Sequence, residues 1–381
     1  MQTRQHVISQ KLPLILIAQL AFFLVIWVLV PTLPIYLKRL RATDAEIGIL
    51  IGAMSLASVV SRPLVGRALR KEREKLFMMA GAIACIVCSV AYLVIPPFWP
   101  MLPVRILQGV ALGLFHTSTT TYVANHTDPA YRARALAHLT VAVNVASTIA
   151  PPLGMAIVNR FGFSHLFLAS AAGSLGALLL SSRLGRNELP SLQASPIHNG
   201  FPLDRQSFQP SLIGFIGFII WASLATFYPL YATSLGVTNP GFFFTAIAVM
   251  CILTRGLGGK ILNIRNREAV VGACIALNAV ALTILWLSKT QVMFLIVALL
   301  WGAGQGFLVP AMLAWALDRS TSPSAVVVAT MYTSFDTGQF LGPLAMGVVA
   351  QYMGYSAVFL CLPILGAISL LCLSYFIASR R

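Results

Sequence analysis

The sequence is poor in charged residues, and above all in acidic ones. Lysine, arginine, aspartate and glutamate make up 9% of the 381 residues, and only ten residues are acidic, whereas 58% are hydrophobic. A soluble particle of this size needs many more polar side chains to cover its surface. The scarcity of charge therefore excludes a soluble globular protein and indicates a membrane protein.

The sequence also lacks the motifs of common enzyme classes. It has no nucleophile elbow, metal-ligand cluster or phosphate-binding loop, so we predict that it is not an enzyme and is not driven directly by ATP. Its six cysteines lie in apolar runs, where we interpret them as packing residues and predict no metal site. A receptor or scaffold should carry a folded soluble extension, and the short termini favour neither.

Long apolar runs alternate with short polar loops. A helix needs about 20 mostly apolar residues to cross about 30 Å of hydrocarbon. The first run is too long for a secretory signal and no cleavage site follows it, so we expect it to be retained. The sequence predicts twelve spans, at about residues 12–37, 46–66, 75–95, 98–124, 133–158, 163–182, 211–234, 241–262, 269–288, 290–316, 323–350 and 355–378.

Basic residues are concentrated in alternate loops. If the N-terminus is inside, the inner segments hold 18 of the 26 lysines and arginines, and the outer loops hold five. Because basic residues accumulate on the cytoplasmic side, we predict that both termini are cytoplasmic. The net charge of +16 then reflects topology and contact with the lipid bilayer, and we predict no nucleic-acid partner and a monomer.

The chain repeats itself at an interval of about 193 residues. At this shift Gly109 aligns with Gly302 and Gly113 with Gly306, and FGFSHLFL aligns with MGYSAVFL at a shift of 192. A stretch rich in Ser, Pro, Asn and Gln separates the two copies. We therefore predict an N-terminal six-helix bundle, a cytoplasmic linker and a C-terminal six-helix bundle, at residues 1–182, 183–210 and 211–381.

Several motifs resemble those of a known family. VPTLPIYL in the first span, LPVRILQGVALG in the fourth and DTGQFLGPLAMG in the eleventh are similar to motifs of the major facilitator superfamily. STIAPPLG in the fifth is a partial version of an efflux-associated motif. The chain thus resembles the bacterial 12-span drug and metabolite efflux branch. The resemblance implies an all-α fold of two pseudo-symmetric six-helix bundles in the bacterial inner membrane, with alternating access to a central cavity.

The resemblance also implies a function. It implies secondary active efflux of a small organic solute, such as a drug, metabolite or siderophore-like molecule, with a proton gradient as energy source and no cofactor. An importer or symporter of a sugar, organic acid or metal-chelate remains the alternative. Two departures bear on the mechanism: Arg70 stands where the family's loop motif has an aspartate, and Ala146, Ala150 and Met155 replace three motif glycines.

Three ionisable residues are predicted to lie within membrane spans. An ionisable side chain costs about 2.5 to 3.5 kcal/mol at the centre of a span, so it should be paired, hydrated or functional. Arg105, Asp336 and His116 are therefore our proton-coupling candidates. The alternatives are a structural ion pair or hydrogen bond for the two charged residues and a packing role for the histidine. Gln108 and Thr119 share a helical face with Arg105, and we expect this face to line a water-filled cavity.

The remaining candidates fall into three groups. Polar and aromatic residues that we expect to line the substrate cavity are Gln19, Trp27, Gln108, Thr119, Asn144, Trp221, Tyr228, Tyr231, Gln305, Met312 and Gln339. Candidates for the conformational latch that the resemblance implies are Arg62, Gly66, Arg67, Arg255, Gly259 and Asp318. Candidates for hinges or close helix packing are Gly109, Gly113, Pro151, Pro152, Gly154, Gly338, Gly342 and Pro343.

Overall fold

The structure, a computed structural model, is helical throughout the part of the chain it describes. Every regular element within these residues is a helix, and they contain no strand. The described residues are 2–69, 73–96, 98–127, 129–184, 204–257 and 266–378. The predicted all-α fold class is confirmed.

Eleven α-helices, numbered in chain order, run through the described residues, with a short 3₁₀ helix at Arg205–Ser207. They are α1 Gln2–Arg39, α2 Asp44–Ala68, α3 Glu74–Val94, α4 Met101–His126, α5 Pro129–Phe161, α6 Phe163–Ser182, α7 Phe208–Ser234, α8 Gly241–Leu257, α9 Arg267–Leu287, α10 Gln291–Arg319 and α11 Ser324–Ala378. A capping box begins α2, because the Thr43 backbone N–H donates to the Glu46 carboxylate at 2.7 Å and the Glu46 N–H donates to the Thr43 hydroxyl at 3.3 Å.

The longest helix, α11, consists of two arms. Its 55 residues are interrupted at Gly354, whose φ of 80° and ψ of 172° lie outside the helical region. The first arm is 324–353 and the second is 355–378. Gly162, between α5 and α6, has a similar φ of 87°. Both positions need glycine because L-residues rarely adopt such a φ, and they are 192 residues apart, as the sequence repeat requires.

With the two arms counted separately, the helices agree with the twelve predicted spans. Within the described ranges, nine helices are long and apolar enough to cross a membrane, and α11 is counted once among them. The apolar helix of α8 is shorter, at Gly241–Gly256. The polar residues of α4, which include Arg105 and Gln108, lower its mean hydropathy. The protein is therefore an integral, multi-pass membrane protein.

The chain divides into two units. The first unit is Met1–Val30 with Ala53–Ile197, and the second is Pro31–Gly52 with His198–Arg381. The predicted division into residues 1–182, 183–210 and 211–381 stays a prediction, and these units place residues 31–52 with the C-terminal part of the chain. The helices α1 and α2 thus contribute residues to both units.

The aligned glycines pack the helices of each unit closely. A Cβ added at Gly109 of α4 would overlap the carbonyl oxygen of Met54 on α2. In the second unit, a Cβ at Gly302 of α10 would approach the carbonyl oxygen of Ile247 on α8 to 2.7 Å. Met54 and Ile247 are also 193 residues apart, so the repeat extends from the sequence to the helix contacts. Small residues permit this close approach of backbones.

Apolar side chains fill the interior of both units. In the first unit the rings of Phe22 on α1 and Phe115 on α4 stack with centroids 4.1 Å apart. In the second unit the rings of Phe218 on α7 and Phe335 on α11 stack at 4.3 Å. Many other large apolar side chains, such as Leu371 at 68% exposure, lie on the outside, as expected for helices that face lipid.

Candidate functional site

Arg105 on α4 is buried in the first unit beside two polar side chains. Its guanidinium Nη1 donates to Gln108 Oε1 at 2.5 Å, and the Tyr92 hydroxyl on α3 donates to the same oxygen at 2.8 Å. All three residues are at most 4% exposed. One amide carbonyl thus accepts two hydrogen bonds in an otherwise apolar interior, which offsets part of the cost of burying a permanent charge.

The face of α4 that we predict to line the cavity is occupied by protein contacts in this arrangement, and its cavity role stays a prediction. Arg105 and Gln108 pack against α3 within the first unit, because Tyr92 offers their polar groups a partner there. Thr119, also on this face, is fully buried and its hydroxyl donates to the carbonyl oxygen of Phe115 at 2.7 Å. These three side chains are engaged by protein groups instead of facing open water.

His116 lies one turn from Thr119 and is half-buried. Its ring meets the ring of Phe23 on α1 edge to face, with centroids 5.3 Å apart. This aromatic contact matches the packing alternative that the sequence left open, while its role in proton coupling stays a prediction.

Tyr92 is a site residue that the sequence analysis missed. One sequence feature bears on its position. Cys85 and Tyr92 are seven residues apart, and this spacing places them on the same face of α3. Both side chains are buried, and that face packs against α4. The helix pairing, however, cannot be deduced from the spacing within one helix.

Asp336 is the buried acid of the second unit. It lies on the first arm of α11 and is 9% exposed. The preceding residue, Phe335, stacks on Phe218 of α7, and a Cβ at Gly338 would overlap the carbonyl oxygen of Phe215 on α7. Residues on either side of Asp336 in the sequence therefore pack closely on α7.

The substrate-cavity candidates of the second unit lie largely in its core. Tyr228 is 1% exposed and stacks on Phe243 at 3.8 Å, and Met312 is also 1% exposed. The Tyr231 hydroxyl donates to the carbonyl oxygen of Ser288 at 3.2 Å. Tyr228 and Met312 are thus buried in the core of this unit, and their place on a cavity wall stays a prediction. Three further candidates are half-buried: Trp221, Gln305 and Gln339.

The substrate-cavity candidates of the first unit differ in burial and in their contacts. Gln19 is fully buried on α1, and neither polar atom of its amide has a partner. Trp27 is half-buried and packs against the core that contains Phe22. Asn144 is half-buried on α5, and its backbone carbonyl accepts hydrogen bonds from Ser147 at 2.8 Å and Thr148 at 2.7 Å.

The latch candidates make contacts inside their own units. Arg255 Nε donates to the carbonyl oxygen of Gly306 at 3.2 Å, and Arg267 Nε lies 3.3 Å from Asp318 Oδ2. Arg62 and Gly66 are half-buried on α2. Gly259 and the side chain of Arg67 lie outside the described residues. A latch at these positions therefore stays a prediction.

The hinge and packing candidates occupy helical positions. A Cβ at Gly113 would overlap Ser61 Oγ, and one at Gly342 would come within 2.5 Å of the carbonyl oxygen of Ile219. Four others lie within helices: Pro151, Pro152, Gly154 and Pro343. Close packing at the glycines is thus a property of the structure, whereas hinge motion stays a prediction.

A polar cluster in the second unit was not anticipated. Lys38 Nζ lies 2.8 Å from Asp44 Oδ1, and the Tyr355 hydroxyl donates to the same oxygen at 2.8 Å. The Lys38 ammonium is also 5.8 Å from the centroid of the Tyr355 ring. We call Lys38, Asp44 and Tyr355 the clasp, because they join the α1–α2 corner to the second arm of α11. The sequence did not reveal the clasp, since Asp44 and Tyr355 are 311 residues apart.

Asp204 immediately precedes the 3₁₀ helix of the second unit and links it to the segment before α11. Its carboxylate accepts hydrogen bonds from the Ser207 backbone N–H at 2.9 Å and the Ser322 hydroxyl at 3.0 Å. Burial alone would raise the pKa of Asp204, but hydrogen bonds from Ser207, Ser320 and Ser322 outweigh it and hold the pKa below its ordinary value.

Comparisons with known proteins agree with this architecture. A family model described as Major Facilitator Superfamily matches residues 15–335 and 211–381. Multidrug resistance protein 2 of Bacillus subtilis (strain 168) is 22% identical over 344 residues, which cover 86% of this chain and 85% of that protein. An uncharacterized MFS-type transporter of Burkholderia mallei (strain SAVP1) is 26% identical over 342 residues, covering 84% and 80%.

Solved structures of low sequence identity share the fold. A bacterial homolog of the human lysosomal transporter Spinster, in an inward-facing and occupied conformation, has a TM-score of 0.78 at 14% identity and covers 98% of this chain and 97% of its own. The nucleoside transporter NupG has a TM-score of 0.76 at 14% identity, with 96% and 99% covered. At such identity these structures support the fold alone.

Proposed function

This chain belongs to the Major Facilitator Superfamily, and on that premise we propose that it is a proton-coupled secondary transporter that exports small organic solutes. Rocking of the two bundles would expose a central site to each side of the membrane in turn. The proposal includes a proton gradient as energy source, a bacterial inner membrane as location and a monomer without a cofactor.

The position of the buried charges is the observation that carries the proposal. Among the described residues, five charged side chains are buried. Asp44, Glu74 and Asp204 lie at or next to the start of a helix. Arg105 and Asp336 instead lie within helices, one in each unit, where burial of a charge is expensive and usually serves a function.

The two charges suit different tasks. A guanidinium cation attracts anions and carboxylates, which suits Arg105 to electrostatic control. Asp336 can exist as a carboxylate or as a neutral acid, and its protonation would remove a buried charge. We therefore assign proton binding to Asp336 and electrostatic control to Arg105, with His116 as a further titratable group.

Export is favoured by one specific likeness. Multidrug resistance protein 2 aligns with 86% of this chain, and its name describes resistance to drugs. The aromatic and apolar surroundings of Trp221 and Trp27 suit organic solutes with rings or alkyl groups. One charge that moves through 100 mV supplies about 2.3 kcal/mol, enough to concentrate such a solute about 50-fold.

A vesicle assay tests direction and coupling together. The full chain is reconstituted into liposomes, and uptake of hydrophobic organic cations and nucleosides is measured under pH gradients of either sign. An antiporter accumulates its solute when the lumen is acidic, because protons leave as the solute enters. Accumulation only with an alkaline lumen would instead identify the symporter alternative, and equal uptake under both gradients would contradict proton coupling.

A further inference from the structure

The turns that end α1 and α7 have the same backbone hydrogen bonds. At a shift of 195, PIYLKRLRATD aligns with PLYATSLGVTN, so that Arg41 corresponds to Gly236. Each turn contains two N–H to carbonyl bonds, all at 3.0 Å: Arg41 to Lys38, Ala42 to Leu37, Gly236 to Thr233 and Val237 to Ala232. This pattern is the Schellman motif, which satisfies the last carbonyl groups of a helix. The repeat therefore preserves the turn in detail.

Arginine occupies a position in the first turn that favours glycine. Arg41 has a φ of 64° and Gly236 has a φ of 84°, so both backbones are left-handed. Glycine adopts this region readily, whereas the Cβ of any other L-residue is strained there. Glycine is accordingly the usual residue at this position of the motif. An arginine held in an unfavourable conformation points to a function of its side chain.

The arginine is not needed to end the helix. The helix α7 ends in the same turn without a basic residue in its last turn. In α1 the last turn already contains Lys38 and Arg39, which suit the negative end of the helix dipole. Arg41 follows that turn and is exposed, and among the described residues no group pairs with its guanidinium. Its charge is therefore available to a partner outside the chain.

The corner between α1 and α2 lies at the boundary of the membrane. The two candidate spans that flank it end at Arg39 and begin at Asp44. Its two acids are engaged by the protein, since Asp44 belongs to the clasp and the Glu46 carboxylate accepts from the Thr43 N–H. Basic residues beside a span attract anionic lipids. Arg41 is thus an exposed cation at the level of the lipid headgroups.

We propose that this corner binds the phosphate of an anionic phospholipid headgroup, with Arg41 as its main contact. A guanidinium suits a phosphate group, because its planar fork can donate two parallel hydrogen bonds. The corner after α7 has Ser234 and Gly236 where this corner has Arg39 and Arg41, so it has no cation at these positions. Lipid binding thus offsets the backbone strain in one of two otherwise equivalent turns.

Reporters at matched positions of the two corners test the proposal. The repeat aligns Leu40 with Leu235, which precede Arg41 and Gly236. A fluorophore is attached to Leu40→Cys or Leu235→Cys in the full chain, and the chain without either substitution gives the background. The protein is placed in nanodiscs of phosphatidylcholine and phosphatidylglycerol, one of which bears a nitroxide near its headgroup. Quenching then reports which lipid lies beside each corner.

Phosphatidylglycerol should be enriched only at the first corner. One cation near the membrane surface favours anionic lipid by a factor of about five. We therefore expect enrichment over phosphatidylcholine of at least about five-fold at Leu40→Cys and none at Leu235→Cys. Equal enrichment at the two reporters would overturn the proposal, and this comparison needs no substitution of Arg41.

Arg41→Gly gives the first turn the glycine of the second. We expect enrichment at Leu40→Cys to fall about five-fold, the factor for one cation. The unfolding temperature in neutral detergent should equal or exceed that of wild type, because glycine relieves the strain. Arg41→Lys is the matched control, since it keeps the charge and should keep most of the enrichment. Wild-type enrichment in Arg41→Gly would overturn the proposal.

Free phosphate is the competing occupant. Inorganic phosphate is added to the same nanodiscs, with sodium chloride of equal ionic strength as the reference. A fluorescence change at Leu40→Cys with phosphate alone, together with no enrichment of phosphatidylglycerol, would assign the corner to free phosphate and overturn lipid binding. None of these results depends on solute transport.

Discussion

At the scale of single residues, Gln108 connects two other side chains, because its carbonyl oxygen accepts one hydrogen bond from α3 and one from α4. Its carbonyl oxygen fixes the guanidinium of Arg105 and the hydroxyl of Tyr92 at hydrogen-bond distance. A hydrogen bond in a low-dielectric interior is stronger than in water, and a group that loses its partner there is costly. The orientation of Arg105 therefore depends on a residue that has no charge.

Tyr92→Phe removes one of the two donors and should lower stability. Because Arg105 still donates to Gln108, we expect a loss of about 1 kcal/mol, which is typical of one buried hydrogen bond. Thermal unfolding in detergent measures it. Tyr375→Phe is the matched control, since Tyr375 is 69% exposed and should change stability little. Equal effects of the two variants would contradict the described network.

Asp204 predicts an acid-sensitive contribution to stability. Its folded-state pKa lies below the ordinary value of 3.8, so the folded protein binds fewer protons here than the unfolded chain does near that pH. The contribution is therefore present above pH 3.8 and is lost as the pH falls through the lower folded-state pKa. Asp204→Asn should flatten the fall in unfolding temperature below about pH 4, where an ordinary carboxyl becomes protonated. An unchanged slope would contradict this assignment.

Single residues also show where sequence reasoning reached its limit. Arg105 and Asp336 stand out because charges are rare in the apolar runs, and both are indeed buried. Their surroundings could not be predicted in the same way. The face of α4 with Arg105 packs on α3, because Tyr92 is there to receive it, and one sequence does not specify which helices meet.

At the scale of helices, the corner between α1 and α2 shows how distant segments become connected. Residues 31–52 belong to the second unit, and the backbone N–H of Ala45 donates to Gln351 Oε1 at 3.4 Å. A Cβ at Gly48 would overlap the carbonyl oxygen of Pro343, so the helices approach closely beside the clasp. The clasp adds a specific electrostatic contact to this backbone packing.

Asp44→Asn should loosen the corner. The Lys38 side chain is 43% exposed, so the ion pair contributes at most about 1 kcal/mol, equivalent to about a five-fold change in an opening equilibrium. A cysteine at Ala45 should react about five times faster with an impermeant maleimide in the Asp44→Asn background. The chain without Ala45→Cys gives the background rate.

Glu46→Gln is the control for this measurement. It removes a charge two residues from Asp44, but glutamine can keep the capping contact with Thr43. We expect labelling at Ala45→Cys to remain at the wild-type rate. If Asp44→Asn and Glu46→Gln gave the same rate, the clasp would have no role in holding the corner.

Helix positions were largely predictable, and helix partners were not. Apolar run lengths predicted the spans, and Gly354 lies between the two runs that α11 joins. The positive φ of Gly354 and Gly162 explains why both repeats retain glycine at this corner. The clasp was not predictable, because Asp44 and Tyr355 have no sequence feature that links them.

At the scale of the whole molecule, the repeat preserves geometry while it changes charge. Asn125 Nδ2 donates to Glu74 Oε1 at 3.0 Å in the first unit, and Arg267 pairs with Asp318 in the second. A shift of 193 maps Glu74 onto Arg267 and Asn125 onto Asp318. The same helix ends are joined in both units, but the negative charge of Glu74 is replaced by the positive charge of Arg267. Arg105 has an uncharged counterpart at the same shift, Ala298, and Asp336 has one at a shift of 192, Asn144.

This asymmetry is the basis of the proposed coupling. Packing glycines such as Gly109 and Gly302 serve both units, so they belong to the shared frame. A buried charge without a counterpart is not required by that frame. Proton-driven transport is a task that would retain such charges, since only a titratable group can link the solute to the gradient.

The most direct test compares two acidic residues in proteoliposomes loaded with a pH-sensitive dye. Asp336→Asn removes the proposed proton site, whereas Glu46→Gln removes an acid whose contact with the Thr43 backbone a glutamine can keep. Wild type and Glu46→Gln should change the lumenal pH when solute is added and should accumulate solute against its gradient. Asp336→Asn should lose both, while downhill solute exchange persists. Accumulation and pH change at the wild-type level in Asp336→Asn would contradict the account.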